Sequence, residues 1–267
     1  MAPKIISRLW HIRERLPDTK LRLYTNGHGM TPKRIDEMKG LGMDHLYVSV
    51  NTLVPEKCKD VRGIPLKRTF ENLEYLTEGN GKDSVAKNVT FRMTRLADTT
   101  VQEQKDFQSY CREHGVRCFF VGLFNYKGDV NSPLPVPSYG YEHIGHLNIL
   151  AAGRVTLCCM DQHGEYGWGD ANEMSVLELY NHPKARQYRE LHRTGRRKEI
   201  EPCGTCNLFC PCFKELSPAQ KVKTGAEYLS CLAKYRPTGV RPPPPHLTGG
   251  GTLIQLKTNG SSVEIAK

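Results

Sequence analysis

Seven of the ten cysteines in this 267-residue chain fall between Cys158 and Cys231, and Cys203 and Cys206 are separated by only two residues. Two thiolates at that spacing can grip one metal from a single turn, because the chain between them returns within a few ångströms. Cys212 follows closely. Upstream, Cys158 and Cys159 stand where a hairpin end can converge on the pair. Soft sulfur ligands select zinc, copper(I) or iron–sulfur clusters over hard cations. The segment Met1-Ala-Pro-Lys-Ile-Ile-Ser-Arg8 has no long apolar stretch and no small-residue cleavage site, which predicts a cytoplasmic chain. In that reducing compartment, clustered cysteines point to metal or redox chemistry before disulfides. Cys58, Cys111 and Cys118 are scattered, and the last two read as core or near-surface thiols.

The cysteine distribution divides the chain near Pro133-Leu-Pro-Val-Pro137, whose alternating prolines continue neither a helix nor a central strand. Ahead of that point, helices and strands alternate. Ile5, Ile6, Leu9, Ile12 and Leu16 recur at helical spacing up to Pro17. Strands are expected at 21–25, 46–50, 88–94 and 116–121. Asn26-Gly27 stops the first of them. Helices are expected from Thr31, an N-cap followed by proline, then at 67–78 and 101–114. This order implies α/β architecture with parallel strands. Behind the prolines, 147–150 and 154–157 read as a hairpin turning at Gly153. Helices near 174–181 and 183–194, the CxxC pair and a helix over 217–233 follow. Residues 235–267, rich in proline and then glycine, read as a flexible tail.

Apolar residues make up 38% and charged residues 25%, enough apolar matter for a core. A formal charge of +10 favours anionic partners without identifying one. Nucleic acid is admitted by that charge but supported by no aromatic-rich RNA motif. With no apolar run of about 18 residues, no membrane span is expected.

Gly153-x4-Cys158, Cys159-Met-Asp161, Tyr166-Gly-Trp-Gly-Asp170, Ser175-Val-Leu-Glu-Leu-Tyr180 and Cys203-x2-Cys206-x5-Cys212 resemble the SPASM-type C-terminal extension of radical SAM enzymes. Leu23-Tyr-Thr-Asn-Gly27 is similar to the third strand of that family's barrel, and Val48-Ser-Val-Asn51 to the fourth. Val116 to Gly128 is similar to the last barrel strand and its exit. The resemblance implies a partial (β/α) barrel of parallel strands over 1–132, then a small cysteine-rich α+β subdomain over 138–234. It further implies an auxiliary [4Fe–4S] cluster, with Ser49 and Asn51 facing the ribose of S-adenosylmethionine. Two ligand sets follow from it. One is Cys158, Cys203 and Cys206 with Cys159 or Cys212 as the fourth. The other is Cys203, Cys206, Cys212 and Cys231. The first is preferred, because the hairpin cysteine and the CxxC match best.

Departures from the family pattern shape the rest of the expectation. The family's CxxxCxxC is absent from the ten cysteines, and so is the GGE-like segment of its second strand. The sequence therefore reads as a remnant that does not cleave S-adenosylmethionine alone. It would use that cofactor only if a partner chain supplied the missing strands, and its substrate would be a peptide or small metabolite. The alternative is a zinc-binding interaction module with a basic surface for nucleic acid or an acidic protein. Arg92 and Arg95 flank a strand and read as anion-facing, solvated or barrel-lining. The run Arg193-Thr-Gly-Arg-Arg-Lys198 reads as a solvated loop.

Overall fold

The structure, a computed structural model, describes residues 4–57, 65–78, 81–96, 98–122, 124–125, 127, 136, 142–208, 217–219, 222 and 226. Of these, residues 4–122 belong to one compact unit and those from Phe124 onward to a second.

The first unit is the expected parallel α/β layer. Helix α1 (Ile5–Arg15) precedes strand β1 (Arg22–Thr25), α2 (Pro32–Met38) and β2 (His45–Ser49). Helix α3 (Leu66–Thr77), the short α4 (Gly81–Val85), β3 (Val89–Arg95), α5 (Val101–Glu113) and β4 (Arg117–Gly122) complete it. The strands pair in parallel in the order β1-β2-β3-β4, with Leu23 opposite Leu46, Val48 opposite Phe91 and Phe91 opposite Cys118. Side chains alternate across the sheet. Leu46, Val48, Phe91 and Met93 are buried and belong to one core with Ile35, Met38, Leu73, Leu76 and Phe107 of the helices. Each such side chain withdrawn from water contributes about 1.5–3 kcal/mol.

The opposite face carries Tyr24, His45, Tyr47, Arg92 and Phe119. The rings of His45 and Tyr47 stack 3.9 Å apart, and those of Tyr24 and Tyr47 4.4 Å apart. The Arg92 guanidinium lies 5.2 Å from the Tyr24 centroid and 6.0 Å from that of Phe119, so it is committed to aromatic rings.

Helix α5 starts where the sequence dictates. The Thr100 hydroxyl accepts the Glu103 N–H, and the Glu103 carboxylate accepts the Thr100 N–H. Two expectations need correction. Helix α1 stops at Arg15, and Leu16 is 56% exposed: the helical spacing runs one turn beyond the face that finds a core. Helix α4 was not expected, because only one of its five residues, Val85, is buried and no apolar period marks it.

The second unit holds a 3₁₀ turn (Glu142–Gly145), strands β5 (Asn148–Ile149) and β6 (Val155–Thr156), and helices α6 (Val176–Asn181) and α7 (Pro183–Arg193). A 3₁₀ turn (Arg197–Glu199) and helix α8 (Glu201–Thr205) follow. The hairpin is antiparallel as expected, though only two residues per strand pair. Gly153 turns it at φ +98, and a Cβ there would run into the side chains of Asn172 and Asp170. Ser175 and Glu178 form a capping box on α6. The prolines 133, 135 and 137, most of the helix expected over 217–233 and the tail over 235–267 lie outside the described residues. Among the described residues, no helix is long and apolar enough to cross a membrane.

Candidate metal centre

Strand β6 delivers Leu157 and Cys158 into an apolar cluster that also receives Cys203 and Cys206. Ile144, Ile200 and Leu208 complete its buried part, with Met160, Tyr166, Trp168 and Tyr188 packed around it. The three cysteines are 6–7% exposed, whereas Cys159, next in the chain, is exposed. The chain leaves β6 after Thr156 and turns at 157–160, so that Leu157 and Cys158 enter the cluster and Cys159 does not. Of the CxxC pair, Cys203 lies on helix α8 and Cys206 is its C-cap. Cys58, Cys210, Cys212 and Cys231 lie outside the described residues.

Desolvation dominates the electrostatics. Burial pushes the Cys158 thiol up to about 12, and the neighbouring Cys159, Cys203 and Cys206 act in the same direction. Burial likewise pushes Cys203 up to about 12, although the Arg197 guanidinium opposes it. Thiols held neutral in an apolar pocket are inert alone, and ionise when a metal takes the place of the proton. His192 is 2% exposed, with its Nε2 3.3 Å from the Cys203 sulfur; burial, assisted by Arg197, lowers its pKa to about 3, so the imidazole is neutral.

Three buried networks hold this pocket. Asp161 is fully buried beneath the hairpin. It accepts the Thr156 hydroxyl at 2.7 Å and the backbone N–H groups of Leu157, Tyr166 and Glu165 at 3.2, 3.1 and 3.0 Å. The Lys127 ammonium stands 3.4 Å away and also meets Glu165 at 3.1 Å. Burial alone would raise the Asp161 carboxyl, but the Thr156 hydroxyl and these N–H groups hold it below its ordinary value. In the second network, Asn125 and Asn207 clasp each other: each backbone N–H donates to the other's amide oxygen, at 2.8 and 3.1 Å. The third is Arg197, 1% exposed, whose guanidinium donates to the carbonyls of Cys203, Cys206 and Leu208. The solvated-loop expectation suits Arg196, which pairs with Glu199 at the surface; Arg193 is as solvated and pairs with Glu190 but is the last residue of α7, and Arg197 is buried.

The donor set fits a soft metal group, since three sulfurs are buried in one apolar cluster and a neutral imidazole lies against one of them. Among the described residues, no three His, Cys, Asp or Glu side chains are grouped so as to hold a single metal ion. Ser49 and Asn51 belong to the first unit. Ser49 ends β2; Asn51 has φ 66, and its amide oxygen accepts from the Thr94 N–H and hydroxyl, both at 3.2 Å. Sequence reasoning missed His192, Arg197 and Lys127 in this role. Their burial depends on tertiary packing, and only Asp161, inside the Cys158-Cys-Met-Asp161 run, carried a sequence signal.

A family model described as an iron–sulfur cluster-binding domain, SPASM, matches residues 142–207. The radical SAM superfamily model matches residues 1–122. Comparison with curated proteins finds no match. Among solved structures, the chain is similar to BtrN in complex with AdoMet and 2-DOIA, with TM-score 0.52 and 17% identity over 77% of this chain and 67% of that one. It is also similar to anSMEcpe with bound AdoMet, with TM-score 0.53 and 11% identity over 88% and 76%. At such identities the likeness establishes the fold.

Proposed function

Since this chain is a radical SAM protein, with its radical SAM region at residues 1–122 and a SPASM cluster-binding region at 142–207, we propose that Cys158, Cys203 and Cys206 hold an auxiliary [4Fe–4S] cluster. Cys212 is the fourth ligand in this reading, because Cys159 is exposed. One observation carries the proposal: a hairpin end and a CxxC helix, distant in sequence, bury their sulfurs in one apolar cluster. When bound, an auxiliary cluster supplies electron-transfer chemistry. The protein's own residues exclude water from it and fix its ligands: Asp161 anchors the segment after β6, and Asn125 and Asn207 anchor the segment after Cys206.

Ser49 and Asn51 stand at the carboxyl end of a parallel strand, the end at which α/β sheets bind ligands, which supports a contact with the ribose of S-adenosylmethionine. The 267 residues contain no CxxxCxxC. We therefore propose that they do not cleave that cofactor unaided, and that a further polypeptide adds strands beside β1. Among the described residues β1 pairs only with β2, and Tyr24 of β1 is 57% exposed. A peptide or small metabolite is the proposed substrate, and the reducing cytoplasm the proposed compartment, where buried thiols stay free to ligate.

The separation of 3.3 Å between His192 Nε2 and the Cys203 sulfur favours a second reading. Two ligands of one tetrahedral zinc stand about 3.5 Å apart, given zinc–nitrogen and zinc–sulfur bonds of about 2.0 and 2.3 Å. Anaerobic purification and reconstitution separate the two. The cluster reading expects iron and acid-labile sulfide in equal amounts, with a broad absorbance near ~400 nm that Cys203→Ser and Cys206→Ser abolish. One zinc per chain and no iron would establish the second reading and overturn the first.

A further inference from the structure

Helix α8 is only five residues long and has no side-chain cap. The last carbonyls of a helix lack partners within it, and so do those of the turn that follows. Here the carbonyls of Cys203, Cys206 and Leu208 all receive hydrogen bonds from one side chain. Arg197 Nε donates to Cys203 at 3.1 Å, Nη2 to Cys206 at 2.7 Å and Nη1 to Leu208 at 3.3 Å. The planar fork of a guanidinium fixes three acceptors at once, which the single ammonium of lysine cannot do in the same geometry. Two of those acceptors belong to the CxxC cysteines themselves.

The fork also brings a charge. The guanidinium, a cation 1% exposed and away from screening by salt, is seated on the backbone carbonyls of two of the sulfur ligands. From these contacts we propose that Arg197 is a positioning residue with two effects: its fork sets the geometry of Cys203 and Cys206, and its charge raises the reduction potential of the cluster they hold. This inference rests on the cluster assignment of Cys158, Cys203 and Cys206. A cluster that accepts an electron gains one negative charge, and a nearby buried cation stabilises the reduced form over the oxidised one. A unit charge several ångströms away, at an effective dielectric between ~20 and ~40, shifts such an equilibrium by about tenfold or more.

The test is a potentiometric titration of the anaerobically reconstituted chain, with dithionite as electron donor and iron and sulfide counted per chain. Arg197→Gln removes the charge; Arg197→Lys keeps the charge and loses the fork. The Gln variant should favour the oxidised cluster by about tenfold, a fall of about 59 mV for a one-electron couple. The Lys variant should stay within about threefold of the wild type while holding less iron. A potential unchanged in the Gln variant overturns the charge effect, and full iron occupancy in the Lys variant overturns the fork. If the Gln variant does not fold, a Lys variant whose potential falls by about 59 mV despite its retained charge also refutes the proposal. Loss of the fold in both variants overturns it too, since Arg197 would then be part of the unit's core and not a determinant of the cluster. Absence of iron from the wild-type chain instead rejects the cluster assignment, and is seen before any variant is made.

Discussion

Replacing Asp161 with Asn tests how the second unit is held together. The carboxylate is fully buried and faces five donors. An Asn side chain can place its oxygen where Oδ2 stands and keep the Thr156 hydroxyl and the Leu157 and Tyr166 N–H groups as partners. Its NH₂ then faces the Glu165 N–H, 3.0 Å from Oδ1, and the Lys127 ammonium. The stranded N–H costs about 1–3 kcal/mol, and the three retained bonds lose the charge that made them about twice as strong. Together about 3–5 kcal/mol is expected, the range for breaking one side of a buried ion pair. That is a large share of the 5–15 kcal/mol typical of a domain, so Thr156→Val, which removes one hydroxyl donor, provides a milder step of about 1.5–3 kcal/mol. The two tryptophans report separately: Trp168 lies in this unit and Trp10 in the other. Urea unfolding followed by fluorescence in Trp10→Phe and Trp168→Phe backgrounds assigns the loss. A change below about 1 kcal/mol in the Trp168 signal for Asp161→Asn would refute the account, as would an equal shift in the Trp10 signal.

Gly153→Ala should destabilise the hairpin by about 2–4 kcal/mol through its positive φ and the crowding of Asn172 and Asp170; a neutral substitution in the same urea assay would contradict the turn geometry. Thr100→Ala removes the acceptor of the Glu103 N–H and should cost about 1 kcal/mol, measured as a lower urea midpoint for the Trp10 signal. Burial alone would raise the Glu103 carboxyl, but the Lys57 ammonium at 2.8 Å and the Thr100 N–H hold it below its ordinary value of 4.5. A carboxyl that titrates lower when folded stabilises above its unfolded pKa and loses that stabilisation as pH falls through the folded one. The difference between wild type and Glu103→Gln, about 1 kcal/mol or less at pH 7, should therefore shrink on acidification below about pH 4.5. A difference that grows there would reverse the sign.

Local rules made much of this fold legible. The alternation of β-rich and helical segments marked all four strands, because a period of two and a period of 3.6 are written in neighbouring side chains. The Thr100-x-x-Glu103 box started α5 where expected, and Gly153 turned the hairpin. Where the pattern outran the core, as at Leu16, the chain alone could not say which apolar residues would find a partner. The short α4 had no period to read.

The candidate centre divides in the same way. The kind of donor available was readable along the chain, since a Gly-x4-Cys and a Cys-x-x-Cys are local facts of spacing and thiols have one chemistry toward soft metals. Which sulfurs meet was a matter of packing between segments far apart in the chain. Cys158 is buried in the cluster and Cys159, the next residue in the turn after β6, is left exposed. The same packing drew Arg197 out of a basic run whose neighbours pair at the surface, and seated it on the carbonyls of the CxxC segment. A charge enters the interior only where enough acceptors converge to replace water, and that convergence is assembled from residues far apart in the chain.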